Sequence, residues 1–195
     1  MIINSILFIL FIQVVVIGDV NVGKSNIIRR IFAKDFQEME ATIGVEFGFI
    51  DVTDVDPEDP NVILTIQIWD TCNVILFIKA GAERYRAITT SHIRNADGAF
   101  LVFDVTSENS FLSLDFWYDC ITKSTNEDIV IYLIGNKCDL EIPGGIPSSK
   151  AIEFIQKYKL DGYGECSAKE NININETFRA FYKSKCYPLN RHIHL

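Results

Sequence analysis

The chain has 195 residues, 48% of them apolar and 23% charged, which suits a single domain with a sizeable core. Its 18 Lys and Arg against 26 Asp and Glu leave a net charge of −8, a poor balance for neutralising phosphates, so no nucleic-acid partner is expected. The 14 Phe and 7 Tyr exclude disorder, and five scattered cysteines (Cys72, Cys120, Cys138, Cys166, Cys186) without a CxxC pair read as reduced thiols of a cytosolic protein.

Residues 1–13 form an apolar N-terminal extension. It lacks the basic leading region and small-residue cleavage site of a signal peptide, and Asn4, Ser5 and Gln13 keep it short of the roughly 18 apolar residues of a spanning helix. A strand extension or a mistaken start codon is expected instead. The run Val14–Ile17 predicts a buried strand entering a Gly-rich turn, and Lys24–Phe32 predicts a helix. Val45–Val55 and Val62–Trp69 are β-rich, and the polar stretch Asp56–Asn61 between them predicts a hairpin. Strands then alternate with helices: Ala99–Phe103 strand, Phe111–Ile121 helix, Ile129–Ile134 strand, Ser149–Tyr158 helix, Tyr163–Cys166 strand and Asn175–Lys183 helix. Such alternation implies right-handed crossovers and an α/β fold whose mostly parallel sheet is covered on both faces. Ligands of these sheets bind beyond the carboxyl ends of the strands.

Three motifs fall at those ends. Gly18-Asp19-Val20-Asn21-Val22-Gly23-Lys24-Ser25 matches GxxxxGK[ST] between a strand and a helix, so its backbone N–H groups can wrap a β-phosphate. Lys24 would reach the β and γ oxygens, and the Ser25 hydroxyl would ligate Mg²⁺. Asn136-Lys137-Cys138-Asp139 follows the strand Ile129–Ile134. A carboxylate at Asp139 can accept from the N1–H and 2-amino groups of guanine, donors that adenine lacks, so GTP is selected over ATP. Ser167-Ala168-Lys169 follows the last short strand, where a backbone N–H would meet the guanine 6-oxo group.

Over residues 14–185 the chain resembles the Ras-like small GTPases and, within them, the Rab branch. Thr42-Ile43-Gly44-Val45-Glu46-Phe47 is similar to the Rab switch I, Gln67-Ile68-Trp69-Asp70-Thr71 to its third-strand motif, and Glu83-Arg84-Tyr85-Arg86-Ala87-Ile88-Thr89 to switch II. Leu101–Thr106, Ser110-Phe111 and Trp117 are in the same style. The resemblance implies a P-loop G-domain with a six-stranded sheet and five helices. It also implies a monomeric GTP/GDP switch in vesicle traffic, met by effectors, exchange factors and GTPase-activating proteins. It further implies that Thr42 ligates Mg²⁺ when GTP is bound, that Asp70 holds the metal through water, and that Phe36 packs on the guanine edge. Ile43, Phe47 and Trp69 would belong to an effector surface, with His92 where a Tyr is usual.

The departures fall on the catalytic residues, expected to be Lys24, Thr42 and Gly81. Eight residues, Asn73-Val74-Ile75-Leu76-Phe77-Ile78-Lys79-Ala80, separate the Asp70-Thr71-Cys72 run from Gly81, whose N–H would sense the γ-phosphate. The next residue is Ala82, where the family has the Gln that orients the attacking water, so hydrolysis should be slow. The apolar insert reads either as a docking or aggregation-prone loop or as a retained short intron. Val20 stands where Gly or Ser is usual and would crowd the γ-phosphate; Asn21 replaces a frequent Gly. The Ser25–Thr42 spacing is one residue short of the Rab pattern. The tail 186–195 ends without CaaX, CC or CxC, so prenyl anchoring is not expected, and the protein is expected in the cytoplasm or peripherally on endomembrane vesicles. The competing reading is a non-hydrolysing guanine-nucleotide-binding module that recruits partners through the switch surface.

Overall fold

A computed structural model describes residues 8–38, 46–56, 59, 61–70, 93–125, 128–140 and 143–189 (of residues 46 and 185–189, the backbone alone). The elements run β1 Phe8–Gly18, α1 Lys24–Ile31, β2 Glu46–Val52, β3 Val62–Asp70, β4 Gly98–Asp104, α2 Glu108–Leu112, α3 Leu114–Thr122, β5 Val130–Asn136, α4 Ser148–Tyr158, β6 Gly162–Cys166 and α5 Ile174–Leu189. Because α2 and α3 meet at the helical residue Ser113, they are one interrupted helix. The described residues therefore carry four helices rather than the expected five. The sheet order is β2-β3-β1-β4-β5-β6, and only the β2–β3 pair is antiparallel.

Period-2 burial explains how this sheet forms. Even-numbered residues of β1, such as Val14 and Val16, face a core with Leu64, Ile66, Ile68, Phe100 and Val102. There α1 lays down Ile27, Ile28 and Ile31, and α5 lays down Phe178 and Phe181. Odd-numbered residues Val15 and Ile17 face the opposite core, closed by Leu114, Trp117 and Ile121 of α3 and by Ala151 and Phe154 of α4. With both faces covered, β4 and β5 are buried at every position, which is why they read as continuous apolar runs. Glycine supplies one close fit: a Cβ on Gly98 would stand 2.4 Å from the Phe181 ring.

β1 is longer than the run Val14–Ile17. Phe8–Gln13 continue it as a strand extension, and β1 pairs with β3 from Phe8↔Val62 to Val16↔Asp70. At its other end β1 delivers Gly18 to the carboxyl edge, beside Asp70, Asp104, Asn136 and Cys166 at the ends of β3, β4, β5 and β6. Among the described residues no helix is long and apolar enough to cross a membrane.

Candidate nucleotide-binding site

The turn from β1 into α1 is shaped by left-handed backbone at two residues, Asn21 (φ 63°) and Gly23 (φ 98°). Asparagine tolerates that region through local hydrogen bonding, and glycine without a steric cost. Gly23 is the N-cap of α1, and a Cβ there would come within 2.2 Å of the Asn136 amide nitrogen. Val22 is buried, whereas Asp19 and Val20 are half-buried. Lys24, only 4% exposed, donates from Nζ to Gly18 O (3.1 Å) and Asp19 O (2.7 Å). Its ammonium is thereby held inside the loop it opens from. The first turn of α1 holds no acidic residue, so the positive end of the helix dipole favours an anion here. Trp117 Nε1 donates to Asp19 Oδ1 at 2.8 Å, tying the loop to α3.

Two expected metal donors flank this loop. Asp70, 3% exposed, ends β3 in register with Val16 of β1, and half-buried Ser25 lies in the first turn of α1. A carboxylate and a hydroxyl are hard oxygen donors that suit Mg²⁺. Among the described residues no cluster of three or more His, Cys, Asp or Glu could hold a metal. The third expected ligand, Thr42, lies outside the described residues.

The second and third motifs are drawn together by one side chain. Asn136 Nδ2 donates to Val22 O (2.8 Å), while Oδ1 accepts from Ala168 N (3.1 Å) and, at 3.7 Å, from the Cys166 thiol. A single buried amide thus joins the phosphate loop, the end of β5 and the turn after β6. Lys137 adopts a left-handed conformation (φ 68°), and its ammonium pairs with Asp104 at 2.6 Å. Asp104 in turn accepts from Thr106 N and Oγ1. Cys138 N–H donates to Cys166 O, closing the same edge. Asp139 Oδ1 is buried and makes no hydrogen bond among the described residues. Native proteins seldom leave such an oxygen unsatisfied.

Ser167 and Ala168 are buried and Lys169 is exposed. Ser167 exchanges backbone hydrogen bonds with Ile172, and its Oγ accepts from Glu170 N at 3.0 Å, so the turn is preformed. Half-buried Phe36 sits beside Gln37, whose backbone exchanges two hydrogen bonds with the Asn26 side chain of α1. Burial pushes the Cys166 thiol up to about 12, and burial with the Asp139 and Glu165 charges raises that of Cys138. Both are therefore neutral thiols at physiological pH.

Of the expected effector surface, Phe47 is exposed and its ring lies 4.6 Å from that of Trp69. The aromatic contact continues to Phe49 (5.8 Å from Phe47) and on to Phe11 (6.5 Å from Phe49), two residues the motif reading omitted. Their period-2 spacing on β2 and β1 was the available signal. Ile43, His92, Gly81, Ala82, the insert 73–80 and residues 83–89 lie outside the described residues. The Asp104–Lys137 ion pair and the Trp117–Asp19 bond were also missed, because the partners of each lie far apart in sequence.

The model of the Ras family matches residues 13–186. The chain is 38% identical over 167 residues to Ras-related protein Rab-11C of Dictyostelium discoideum, covering 85% of this chain and 68% of that protein. It is 39% identical to Ras-related protein RABA1c of Arabidopsis thaliana (85% and 71% covered) and 40% identical to Ras-related protein Rab11D of Nicotiana tabacum (85% and 69% covered). With the family match spanning most of the chain and relatives of this identity over so much of both lengths, the chain belongs to the Ras family and is a small GTPase of the Rab type.

Proposed function

We propose that this Rab-type GTPase, a GTP-binding switch of vesicle traffic, is a slow one that dwells in its GTP-bound state. The guanine end of that reading rests on one observation: the buried, unpartnered Asp139 Oδ1 at the edge that Asn136 joins to the phosphate loop. Lys24 would bind the β and γ phosphate oxygens from within the loop, and Gly18–Ser25 would wrap them. Bound Mg²⁺ would neutralise charge on the phosphates, with Ser25, Asp70 and Thr42 holding it. Asp139, Asn136, Lys137, the 167–169 turn and Phe36 would hold the base. Slow hydrolysis follows from Ala82, whose methyl cannot orient water, and from the insert 73–80 ahead of Gly81. Loss of such positioning groups costs on the order of ten- to a thousand-fold in rate. Phe47 and Trp69, with Ile43 and His92, would offer the surface that effectors read.

The test is the nucleotide content of purified protein followed by single-turnover GTP hydrolysis with Mg²⁺. Bound guanine nucleotide with phosphate release slower than in a variant carrying Ala82→Gln and lacking residues 73–80 supports the proposal. Equal rates in the two chains refute slow hydrolysis through these residues. Bound nucleotide with no release in either chain supports the non-hydrolysing module instead.

A further inference from the structure

The turn after β6 is held from behind by a side chain outside every motif. Arg30, in the last turn of α1, donates Nε to Ala168 O at 2.8 Å and Nη2 to Lys169 O at 2.9 Å. Its side chain is 17% exposed, and Nη1 stands 3.6 Å from the Asp35 carboxylate, the neighbour of Phe36. One guanidinium thus touches both flanks of the candidate base site. At its opposite end, the same short helix carries Gly23, Lys24 and Ser25 of the phosphate loop.

The donors of a guanidinium point in fixed, coplanar directions, so two successive carbonyls meet them in few orientations of the chain. A peptide unit is planar, with its C=O and N–H opposed. Fixing Ala168 O on Arg30 therefore aims the N–H of the same peptide, that of Lys169, away from Arg30. The Ala168 N–H is oriented by Asn136 Oδ1. The two anchors differ in consequence: Asn136 also holds the phosphate loop through Val22, whereas Arg30 grips the turn and the Asp35 flank alone.

We propose that Arg30 is a positioning residue for base recognition, orienting the 168–169 turn so that its backbone reads the 6-oxo group of a purine nucleotide. Arg30 acts through the backbone and touches no nucleotide itself. This rests on the guanine-nucleotide reading above and adds to it the source of selectivity at the 6-position. Asp139 would govern the 2-amino and N1–H positions separately.

The test compares the full-length chain with Arg30→Ala and Arg30→Lys in titrations of three nucleotides. These are GDP, inosine diphosphate (which keeps the 6-oxo group and lacks the 2-amino group) and 2-aminopurine riboside diphosphate (which keeps the 2-amino group and lacks the 6-oxo group). Arg30→Ala should weaken GDP and inosine diphosphate about tenfold, the worth of one oriented hydrogen bond, and leave 2-aminopurine riboside diphosphate within about twofold. The preference of GDP over inosine diphosphate should survive. Arg30→Lys, which keeps the charge and loses the fork, should fall between the two. Should Arg30→Ala fail to fold, Arg30→Lys alone decides, by a reduced 6-oxo preference at unchanged thermal midpoint. Equal weakening of all three nucleotides would mean general loosening and would overturn the proposal, as would no change in any. A parent chain that binds none of the three overturns the guanine reading itself, and the role of Arg30 with it. A parent chain that binds all three beside an unaltered variant overturns the role of Arg30 alone.

Discussion

A carboxylate oxygen shut away from water with no donor destabilises the protein that carries it, and Asp139 Oδ1 is such an atom. Removing it should therefore act with opposite signs on stability and on binding. Asp139→Ala is expected to leave the unfolding free energy of the nucleotide-free chain unchanged or raise it slightly, because an unsatisfied acceptor disappears. The same substitution should weaken GDP by about 2–5 kcal/mol, the usual cost of stranding one side of a charge-assisted pair. Calorimetric titration paired with urea unfolding reads both, and a large loss of stability would show that Asp139 serves the fold instead. Trp117 allows a milder test. Trp117→Phe keeps most of the buried ring and deletes the donor to Asp19, which should cost about 1–3 kcal/mol of stability and shorten the nucleotide dwell time measured by displacement of a fluorescent GDP.

At the scale of the element, α1 depends on how it begins. Gly23 combines φ 98° with a Cβ direction that ends 2.2 Å from Asn136 Nδ2, so Gly23→Ala must both strain the backbone and push the amide that joins three loops. A loss of about 1–3 kcal/mol in urea unfolding is expected, with nucleotide binding falling further than stability because the Asn136–Val22 bond is disturbed. The motif itself was legible because GxxxxGK[ST] is contiguous and its chemistry is local. The strand ahead of it was only partly legible. Gln13 read as a break in the apolar run, but it stands directly opposite Gln67 on β3 and donates Nε2 to Gln67 Oε1 at 2.8 Å. Its backbone also exchanges hydrogen bonds with Asp97. A polar residue satisfied across the sheet ends nothing, and that partner lies 54 residues away. The start of α2 was missed for a local reason. The Ser107 side chain accepts from Ser110 N as an N-cap and starts the helix at Glu108, ahead of its first apolar residue Phe111. Arg30 was illegible altogether, since its partners lie 138 and 139 residues downstream.

On the scale of the whole molecule, the mostly parallel, doubly covered sheet followed from alternation and its six strands from the family resemblance, whereas the response to pH depends on contacts that only the fold creates. The Tyr182 hydroxyl, with Arg179 and Lys183 beyond it, lowers the pKa of Asp54 and so ties the segment after β2 to α5. The Tyr158 hydroxyl and Lys157 do the same for Asp115 between α3 and α4. A carboxylate depressed in the folded state stabilises above its unfolded pKa, so these contributions are present at neutral pH and fade below about pH 4. Both carboxylates are well exposed, so the acid limb should be shallow. The alkaline limb has the opposite cause. Burial raises the Cys166 thiol from 9.0 to about 12, and burial with the Glu165 hydrogen bond raises the Tyr163 phenol. Above pH 9 the unfolded chain releases the Cys166 proton while the folded chain retains it, so stability falls as pH rises toward 12. The slope approaches about 1.4 kcal/mol per pH unit for that group. Cys166→Ser removes the titration and nearly preserves the volume, so it should flatten this decline between pH 9 and 12 and leave the acid limb unaltered. Unfolding midpoints in urea across pH 3 to 11 decide it: parallel alkaline limbs for the two chains would show that Cys166 releases its proton as readily in the folded chain as in the unfolded one.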